Sequence, residues 1–157
     1  MLFGEYAVLH GQRALVAAVD RGVRCRIEPA ETLIVDGGRH GRAIRDVDGW
    51  RGADLPFAQT LIDAMPDPPI AEYHLDSDAL SVAGTKLGLG SSAASTVALA
   101  RALMPTAHAS QIYRRAQAAH RAVQGTGSGA DIAASAWGGV IGYRWIDGQG
   151  VVEPVAV

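Results

Sequence analysis

The chain has 157 residues, of which 48% are hydrophobic, and this is enough to bury one core and form a single domain. Its formal net charge is -2 and its basic residues are not gathered into one run, so charge gives no reason to expect nucleic-acid binding. The single cysteine, Cys25, excludes an internal disulfide and fits a reducing cytoplasm. The sequence shows neither a signal-peptide pattern nor an apolar stretch of bilayer-spanning length, so we expect a soluble, cytoplasmic protein without a membrane partner.

The first half of the chain alternates short apolar runs with turn residues, a pattern typical of strands. Strands are expected over residues 2–9, 23–27, 32–35, 43–44 and 72–75. The apolar run 14–19 fits either a short helix or a buried strand, and Gly37-Gly38 marks a turn. The polar segment 46–54 is predicted to be a loop. A helix is predicted over 56–65, because proline favours a first helical turn and a second proline follows.

The second half of the chain is richer in alanine and leucine, which favour helices. We expect helices over 92–103, 110–123 and 130–136, and a strand over 140–145. Apolar residues on the first of these helices are spaced to form one stripe, made of Ala98, Leu99, Ala102 and Leu103. The order of the elements predicts an α+β domain of two layers, in which the helices pack against a mixed sheet.

The run Lys86-Leu87-Gly88-Leu89-Gly90-Ser91-Ser92-Ala93-Ala94 is the most informative part of the sequence. Glycines let the backbone approach a ligand closely, and the free N–H groups at the start of the following helix attract anions. Serine hydroxyls at such a position can cap the helix, bind a phosphate oxygen or ligate Mg²⁺. The alternative is a turn that only caps a core helix. The positive charge of Lys86 favours phosphate binding, and we expect a nucleotide here.

The run has neither the Gly-Lys-Ser/Thr ending of a Walker loop nor the Gly-x-Gly-x-x-Gly pattern of a dinucleotide fingerprint. Residues 88–92 instead resemble the phosphate loop of the GHMP kinases, the superfamily of galactokinase, homoserine kinase, mevalonate kinase and phosphomevalonate kinase. Residues 2–11, Leu-Phe-Gly-Glu-Tyr-Ala-Val-Leu-His-Gly, resemble the first motif of that family. Residues 125–133, Gly-Thr-Gly-Ser-Gly-Ala-Asp-Ile-Ala, continue to Trp137-Gly138-Gly139 and resemble the segment that carries its catalytic aspartate.

The resemblance implies an ATP-dependent kinase that uses ATP and Mg²⁺. Asp131 is expected to be the catalytic residue that orients the acceptor group or takes its proton. An aspartate in this place is, on its own, better explained as an N-cap or first-turn acid of a helix, and the other motifs favour the catalytic role. The phosphates of ATP are expected to contact Lys86, Gly88, Leu89, Gly90, Ser91, Ser92 and Ala93, with Ser92 as the ligand of Mg²⁺. The residues expected to bind the substrate are Glu5, Tyr6, Gly127, Ser128 and Gly129.

Within the superfamily, the motifs resemble those of phosphomevalonate and mevalonate kinases. Mevalonate kinases tend to carry histidine at the position of Tyr6 and a magnesium-binding glutamate at the position of His120. The Ala-His stretch before Gln-Gly resembles phosphomevalonate kinases, as does Lys86 before the phosphate loop. The expected substrate is therefore a mevalonate-type small molecule, with phosphomevalonate preferred. The alternatives are a mevalonate kinase, another GHMP kinase of sugars or homoserine, a diphosphomevalonate decarboxylase and a non-catalytic nucleotide-binding module.

Members of this superfamily are normally larger, with a C-terminal domain that closes over the site. They also carry a strand and a Pro-Gly-Lys element before the first motif, where this chain has Met1. We therefore expect residues 1–157 to be an N-terminal ATP-binding domain that lacks the C-terminal domain and is inactive alone. Apolar surface exposed at the position of that second domain would favour a homodimer.

Several other residues have both a functional and a plain interpretation. Trp50 and Arg51 lie where relatives often build the adenine pocket, although packing explains them equally well. Arg114 and Arg115 fit either a contact with a substrate phosphate or a solvated helix face. The remaining histidines lack metal-ligand spacing with a cysteine or an acid, so no zinc site is expected; they are His10, His40, His74 and His108.

Overall fold

The computed structural model describes residues 1–155, which form four α-helices and ten strands. The helices are α1 (Pro56–Asp63), α2 (Ser91–Leu103), α3 (Ala109–Gln124) and α4 (Ala130–Trp137). The strands are β1 (Ala14–Ala17), β2 (Arg24–Glu28), β3 (Leu33–Asp36), β4 (Arg42–Asp46), β5 (Gly49–Gly52), β6 (Glu72–Asp76), β7 (Ser81–Val82), β8 (Thr85–Lys86), β9 (Val140–Ile146) and β10 (Gln149–Pro154). All four helices lie where the sequence predicts them, within two residues at each end.

The strands form a five-stranded sheet, a three-stranded sheet and a small hairpin. The larger sheet has the order β2-β6-β3-β4-β5, and it is mixed because β3 and β6 run parallel while the other neighbours are antiparallel. A parallel pair needs a long crossover, which here contains α1. The smaller sheet, β1-β9-β10, is antiparallel, and the hairpin β7-β8 leads into the glycine-serine run. The predicted mixed sheet is thus confirmed, with a second sheet beside it.

The helices bury their apolar faces against one another and against both sheets. Helix α3 contacts α1, α2 and α4, while α2 also contacts β2 and β6, and α4 contacts β1 and β9. On α2 the predicted stripe is correct at Leu99 and Leu103, which are buried, whereas Ala98 and Ala102 are half-buried. A leucine as enclosed as Leu99 stabilises the fold enough that truncation to alanine costs about 2–5 kcal/mol. Within residues 1–155, none of the helices is both long and apolar enough to cross a bilayer.

The strand predicted over residues 2–9 is wrong. Phe3 makes only an isolated bridge with Leu15, and a 3-10 helix covers Ala7–His10. The chain turns at Gly4, whose carbonyl accepts a hydrogen bond of 3.0 Å from the N–H of Val8. The side chain of Val8 is buried in the core. This burial favours the turn over the extended strand that the local sequence predicts. The neighbouring side chains of Phe3 and Tyr6 are about three-quarters exposed, at 75% and 77%.

The predicted loop over 46–54 is wrong in part, since it contains β5, which pairs with β4. In the turn between these strands, the side chain of Asp46 accepts a hydrogen bond of 2.9 Å from the N–H of Asp48. Sequence patterning also misses β7, β8 and β10, because these strands are short or carry no clear apolar alternation. The undecided run 14–19 contains β1, whose residues alternate between buried and half-buried.

Candidate active site

Two helix N-termini meet at the centre of the candidate site. Gly90 and Gly129 precede α2 and α4, and both have left-handed backbones, with φ of 72° and 73°. A Cβ added to Gly90 would lie 3.5 Å from the Cβ of Asp131, in the first turn of α4. The glycine-serine run and the aspartate segment are distant in sequence, and the fold brings them close together.

The N-terminus of α2 has the features of an anion-binding site. Among the described residues, no side chain caps this helix, and the first N–H groups of a helix have no partner within it. Ser91 and Ser92 are half-buried in the first turn, and Gly88 and Leu89 precede them as exposed residues. The positive end of the helix dipole points in the same direction as these groups, and this favours a phosphate.

A cavity of about 300 Å³, called here the first cavity, opens beside this helix end. Its walls come from the start of α1, the first two turns of α2 and the segment that follows β3. Polar groups on its lining include Lys86, Ser92 and Arg39, and apolar groups include Phe57 and Leu75. This size and mixture are typical of a small-ligand site.

A second cavity of about 260 Å³ lies beside Asp131. It is lined by the segment Gly127, Ser128 and Gly129, by Asp131, and by residues of α3 that include Arg121. The carboxylate of Asp131 is exposed, and its Oδ1 accepts a hydrogen bond of 3.0 Å from the N–H of Ile132. The carboxylate thus faces the second cavity close to the N-terminus of α2.

His120 of α3 lies between the two cavities. Its Nε2 is 3.2 Å from the hydroxyl oxygen of Ser92, and its ring stacks on Phe57 with centroids 4.5 Å apart. Ser92 and Phe57 line the first cavity, whereas His120 lines the second. Burial lowers the pKa of His120, because desolvation disfavours the imidazolium, and the negative charge of Asp131 opposes this shift in part.

Two tyrosines support the segment that precedes Asp131. The hydroxyls of Tyr113 and Tyr143 are 2.8 Å apart, and the hydroxyl of Tyr143 donates a hydrogen bond to the carbonyl of Ser128. Burial raises the pKa of both phenols, and the charge of Asp131 raises them further, so both stay protonated at neutral pH. A Cβ on Gly129 would overlap the end of the Gln117 side chain, which would then have to move, and the left-handed backbone of Gly129 independently favours glycine. Sequence reasoning misses these tyrosines, because isolated aromatic residues carry no motif.

The structure separates some of the predicted site residues from this centre. In the described part of the chain, Glu5 and Tyr6 line neither cavity and Tyr6 is exposed, although Met1 of the same segment lines the second cavity. Lys86 lines the first cavity only, so it lies on the side of the predicted nucleotide rather than that of the acceptor.

Four residues could have either a ligand-binding or a purely structural role, and the structure supports the structural role for each. The indole of Trp50 donates to the carboxylate of Asp63 at 3.0 Å, and Arg51 pairs with Asp46 at 3.2 Å. The guanidinium of Arg115 donates to a backbone carbonyl of the α1 end at 3.3 Å, and Arg114 is exposed. None of the four is part of the lining of either cavity, as the described residues define it. The arginine that lines the second cavity is Arg121, whose guanidinium lies 5.2 Å from the centre of the Trp145 ring.

One group of potential metal ligands lies outside both cavities. Asp36, Glu72 and His74 present ligand atoms that all lie within 4.8 Å of one another. The spacing of these residues along the sequence does not reveal the group, because the parallel pairing of β3 with β6 brings them together. Arg42 pairs with Glu72 at 2.6 Å, so part of the acidic charge is already neutralised. Arg42 and Glu72 thus form an ion pair beside Asp36 and His74 on the five-stranded sheet.

Comparison with known proteins agrees with this geometry. The model of the family described as GHMP kinases N terminal domain matches residues 57–139, more than half of the chain. A phosphomevalonate kinase of Saccharolobus solfataricus is 28% identical over 152 residues, covering 92% of this chain and 46% of that protein. A crystal structure of the Lin0012 protein from Listeria innocua superposes with a TM-score of 0.81 at 28% identity, covering 93% of this chain and 46% of that one.

A further similar structure is that of L. major mevalonate kinase in complex with R-mevalonate, with a TM-score of 0.70 and 26% identity, over 99% of this chain and 49% of that one. The chain thus spans about half the length of the relatives it matches. The resemblance inferred from the three sequence motifs is confirmed, as is the α+β fold class. The chain belongs to the GHMP kinases, and its matching region is their N-terminal domain.

Proposed function

We propose that this domain binds MgATP in the first cavity and presents the γ-phosphate to a small-molecule acceptor in the second. The observation that carries the proposal is the proximity of Gly90 to Asp131, since a Cβ added to Gly90 would lie 3.5 Å from that of Asp131. It supports the proposal because the start of α2, whose serines line the first cavity, lies close to a carboxylate that lines the second. A phosphoryl-transfer site needs this arrangement, because catalysis rests on alignment of the acceptor oxygen with the phosphate and on neutralisation of charge.

The first cavity suits the nucleoside of ATP, with its phosphates along Gly88–Ala93. Phe57 and Leu75 offer apolar surface for a base, while Lys86 and the N–H groups of α2 offer positive charge for the phosphates. The hydroxyl of Ser92, which lines the first cavity, is an oxygen donor of the kind that Mg²⁺ prefers, so this residue fits the metal. When bound, Mg²⁺ neutralises charge that develops on the phosphate oxygens.

The second cavity suits the acceptor. Asp131 holds the acceptor oxygen in line with the γ-phosphorus, and takes its proton when the acceptor is an alcohol. The new bond joins that oxygen to the γ-phosphorus, the bond from the γ-phosphorus to the bridging oxygen breaks, and ADP leaves. Arg121 lies where a phosphate already on the acceptor would be neutralised, and the phosphomevalonate kinase relative makes phosphomevalonate the preferred acceptor. Mevalonate is the second candidate, because the similar L. major mevalonate kinase has R-mevalonate bound.

Binding is the first test, because the chain spans about half of its relatives. Calorimetric titration of residues 1–157 with MgATP should give a saturable isotherm, and Ser92→Ala should weaken it more than it lowers the melting temperature. ADP release by a catalytically competent polypeptide that includes this domain should then be fastest with phosphomevalonate, compared with mevalonate and a sugar. Nucleotide binding without ADP release from any acceptor would favour the alternative of a non-catalytic nucleotide-binding module.

A further inference from the structure

We propose that His120 is a positioning residue that fixes the orientation of the Ser92 hydroxyl for metal binding; this rests on the proposed binding of MgATP near Ser92. The observation is the 3.2 Å distance between the Nε2 of His120 and the Oγ of Ser92. The two residues belong to different helices, α3 and α2, so their contact is a product of tertiary packing.

The chemistry of a hydroxyl ligand explains why a partner is needed. A hydroxyl carries one proton and two lone pairs, and a cation is bound through a lone pair, so the proton must point elsewhere. An imidazole nitrogen with a lone pair accepts that proton and leaves the oxygen lone pairs facing the first cavity. The hydroxyl of Thr96, one turn further along α2, donates to the backbone carbonyl of Ser92 at 2.8 Å. It therefore does not orient the Ser92 side chain.

The packing around His120 holds the ring in one place. The side chain is buried, with 6% exposure, and stacks nearly flat on Phe57, with an interplanar angle of 23°. Phe57 belongs to the start of α1, so three helices meet at this ring. A ring clamped in this way directs its nitrogen at Ser92 without the entropic cost of ordering a flexible side chain.

The position of the ring gives it a second effect on the site. Ser92 and Phe57 face the first cavity, and His120 faces the second together with Asp131. The pair of stacked rings is therefore part of the wall that separates the two cavities. Removal of the imidazole is expected to disturb the metal-dependent part of nucleotide binding, while the nucleoside and phosphate contacts of α2 remain.

A double-mutant cycle on the whole chain separates this role from simple packing. The variants are Ser92→Ala, His120→Phe and the double variant, each titrated with ATP in the presence of Mg²⁺ and again in EDTA. His120→Phe keeps an aromatic ring against Phe57 and removes the acceptor, and His120→Leu, which also lacks an acceptor, serves as a second variant if the phenylalanine is not tolerated. Loss of one hydrogen bond to the ligating hydroxyl should weaken MgATP binding about 3- to 10-fold.

The expected result is that His120→Phe weakens MgATP binding in the wild-type background and adds nothing in the Ser92→Ala background. Binding of ATP in EDTA should change by less than about twofold in either background. Equal losses with and without Ser92, or equal losses with and without Mg²⁺, would overturn the positioning role and leave His120 as a packing residue. Failure of the wild-type chain to bind MgATP would instead refute the proposed function.

A measurement without nucleotide tests the hydrogen bond itself. The imidazole nitrogens of His120, followed by ¹⁵N NMR, should show an unprotonated Nε2 whose chemical shift moves in Ser92→Ala. A Phe57→Leu variant is the matched control, because it removes the stacking partner and keeps the hydroxyl. An Nε2 shift that responds to Phe57→Leu and not to Ser92→Ala would contradict the proposal.

Discussion

Gly90 and Asp131 are neighbours in space, and a Cβ on Gly90 would lie 3.6 Å from the Oδ2 of Asp131. The N-termini of α2 and α4 therefore lie close together, and each is preceded by a glycine with a left-handed backbone. Two helix dipoles therefore present their positive ends near one carboxylate, so that an anion and an acid can share the site.

Three glycines with nearly equal φ separate backbone strain from crowding. Gly88, Gly90 and Gly129 have φ of 70°, 72° and 73°. A Cβ added to Gly88 would meet nothing within 4 Å, and one added to Gly90 would meet Asp131 at an ordinary contact distance. A Cβ added to Gly129 would overlap the side chain of Gln117. Left-handed alanine costs about 1–2 kcal/mol, so Gly88→Ala and Gly90→Ala should each lose roughly that much free energy of unfolding. Gly129→Ala should lose more, because Gln117 must also move.

Urea denaturation of the three variants measures this order. Equal losses at all three positions would mean that Gln117 yields freely, and the restriction of Gly129 would then be conformational only. A larger loss at Gly88 than at Gly129 would contradict the packing described for the aspartate segment.

Tyr143→Phe tests the support beneath the aspartate segment. The change removes the hydrogen bond to the Ser128 carbonyl and leaves the buried hydroxyl of Tyr113 without its 2.8 Å partner. A buried polar group that loses its partner costs about 1–3 kcal/mol, so the free energy of unfolding should fall by that amount. Amide exchange over residues 126–129 should become faster, because the loop loses its anchor.

The control for this variant is Tyr73→Phe, which removes a hydroxyl that donates to the carbonyl of Pro69 at 3.0 Å, far along the chain from the aspartate segment. It should lower stability without changing exchange over 126–129. If Tyr143→Phe left that exchange unchanged, the tyrosine pair would be ordinary core and not a support of the site.

Cys25 provides a pH-dependent test of the packing between β2 and the helices. Burial raises the pKa of the Cys25 thiol from 9.0 to about 11, because desolvation disfavours the thiolate. The folded state therefore binds the proton more tightly than the unfolded state. The stability linked to this group is fully present below pH 9 and is lost as the pH rises towards 11.

Alkylation by iodoacetamide checks this directly, since the thiolate is the reacting species. At pH 8 the folded chain should react far more slowly than the chain in guanidinium, and its rate should rise only near pH 11. Cys25→Ser should remove the part of the stability loss between pH 9 and 11 that belongs to the thiol. A folded-state midpoint near 9 would show that Cys25 is open to solvent.

The sequence predicts some parts of this site well because glycine and serine act locally. The helix starts after Gly90 and Gly129 follow from backbone freedom and helix capping, which neighbouring residues decide. The contact of His120 with Ser92 and the tyrosine pair beneath Ser128 depend on how α3 packs on α2 and β9, and no local pattern encodes that packing. The same is true of Asp36 and His74, which meet only through strand register.

The sequence failed at the N-terminus for a related reason. The run from Leu2 to Leu9 has the apolar content of a strand, but Gly4 turns the chain and Val8 is drawn into the core. Tertiary burial thus overrides local propensity there. The substrate-binding roles of Glu5 and Tyr6 remain predictions.

Asp131→Asn tests the carboxylate and also discriminates between acceptors. Asparagine keeps the shape of the side chain and removes its charge, so MgATP binding to α2 should change little. General acid–base help contributes typically about 10²–10⁴-fold, so with an alcohol acceptor kcat of a competent polypeptide should fall by at least the lower value. A phosphate acceptor, whose second pKa is about 6, is already ionised at neutral pH and needs no base. With a phosphate acceptor, the fall in kcat should therefore be smaller, because Asp131 would only orient that acceptor.

The measurement is ADP release from wild type and Asp131→Asn with mevalonate and with phosphomevalonate, each across pH 6 to 9. Asp67→Asn is a matched control, because it is the same change at an exposed aspartate outside the described lining of both cavities. A fall in kcat that is larger for mevalonate than for phosphomevalonate would support Asp131 as a base for alcohols. A loss of under about threefold with both acceptors would reduce Asp131 to a first-turn acid of α4, since such residues stabilise a helix by only about 0.3–1 kcal/mol and play no part in transfer.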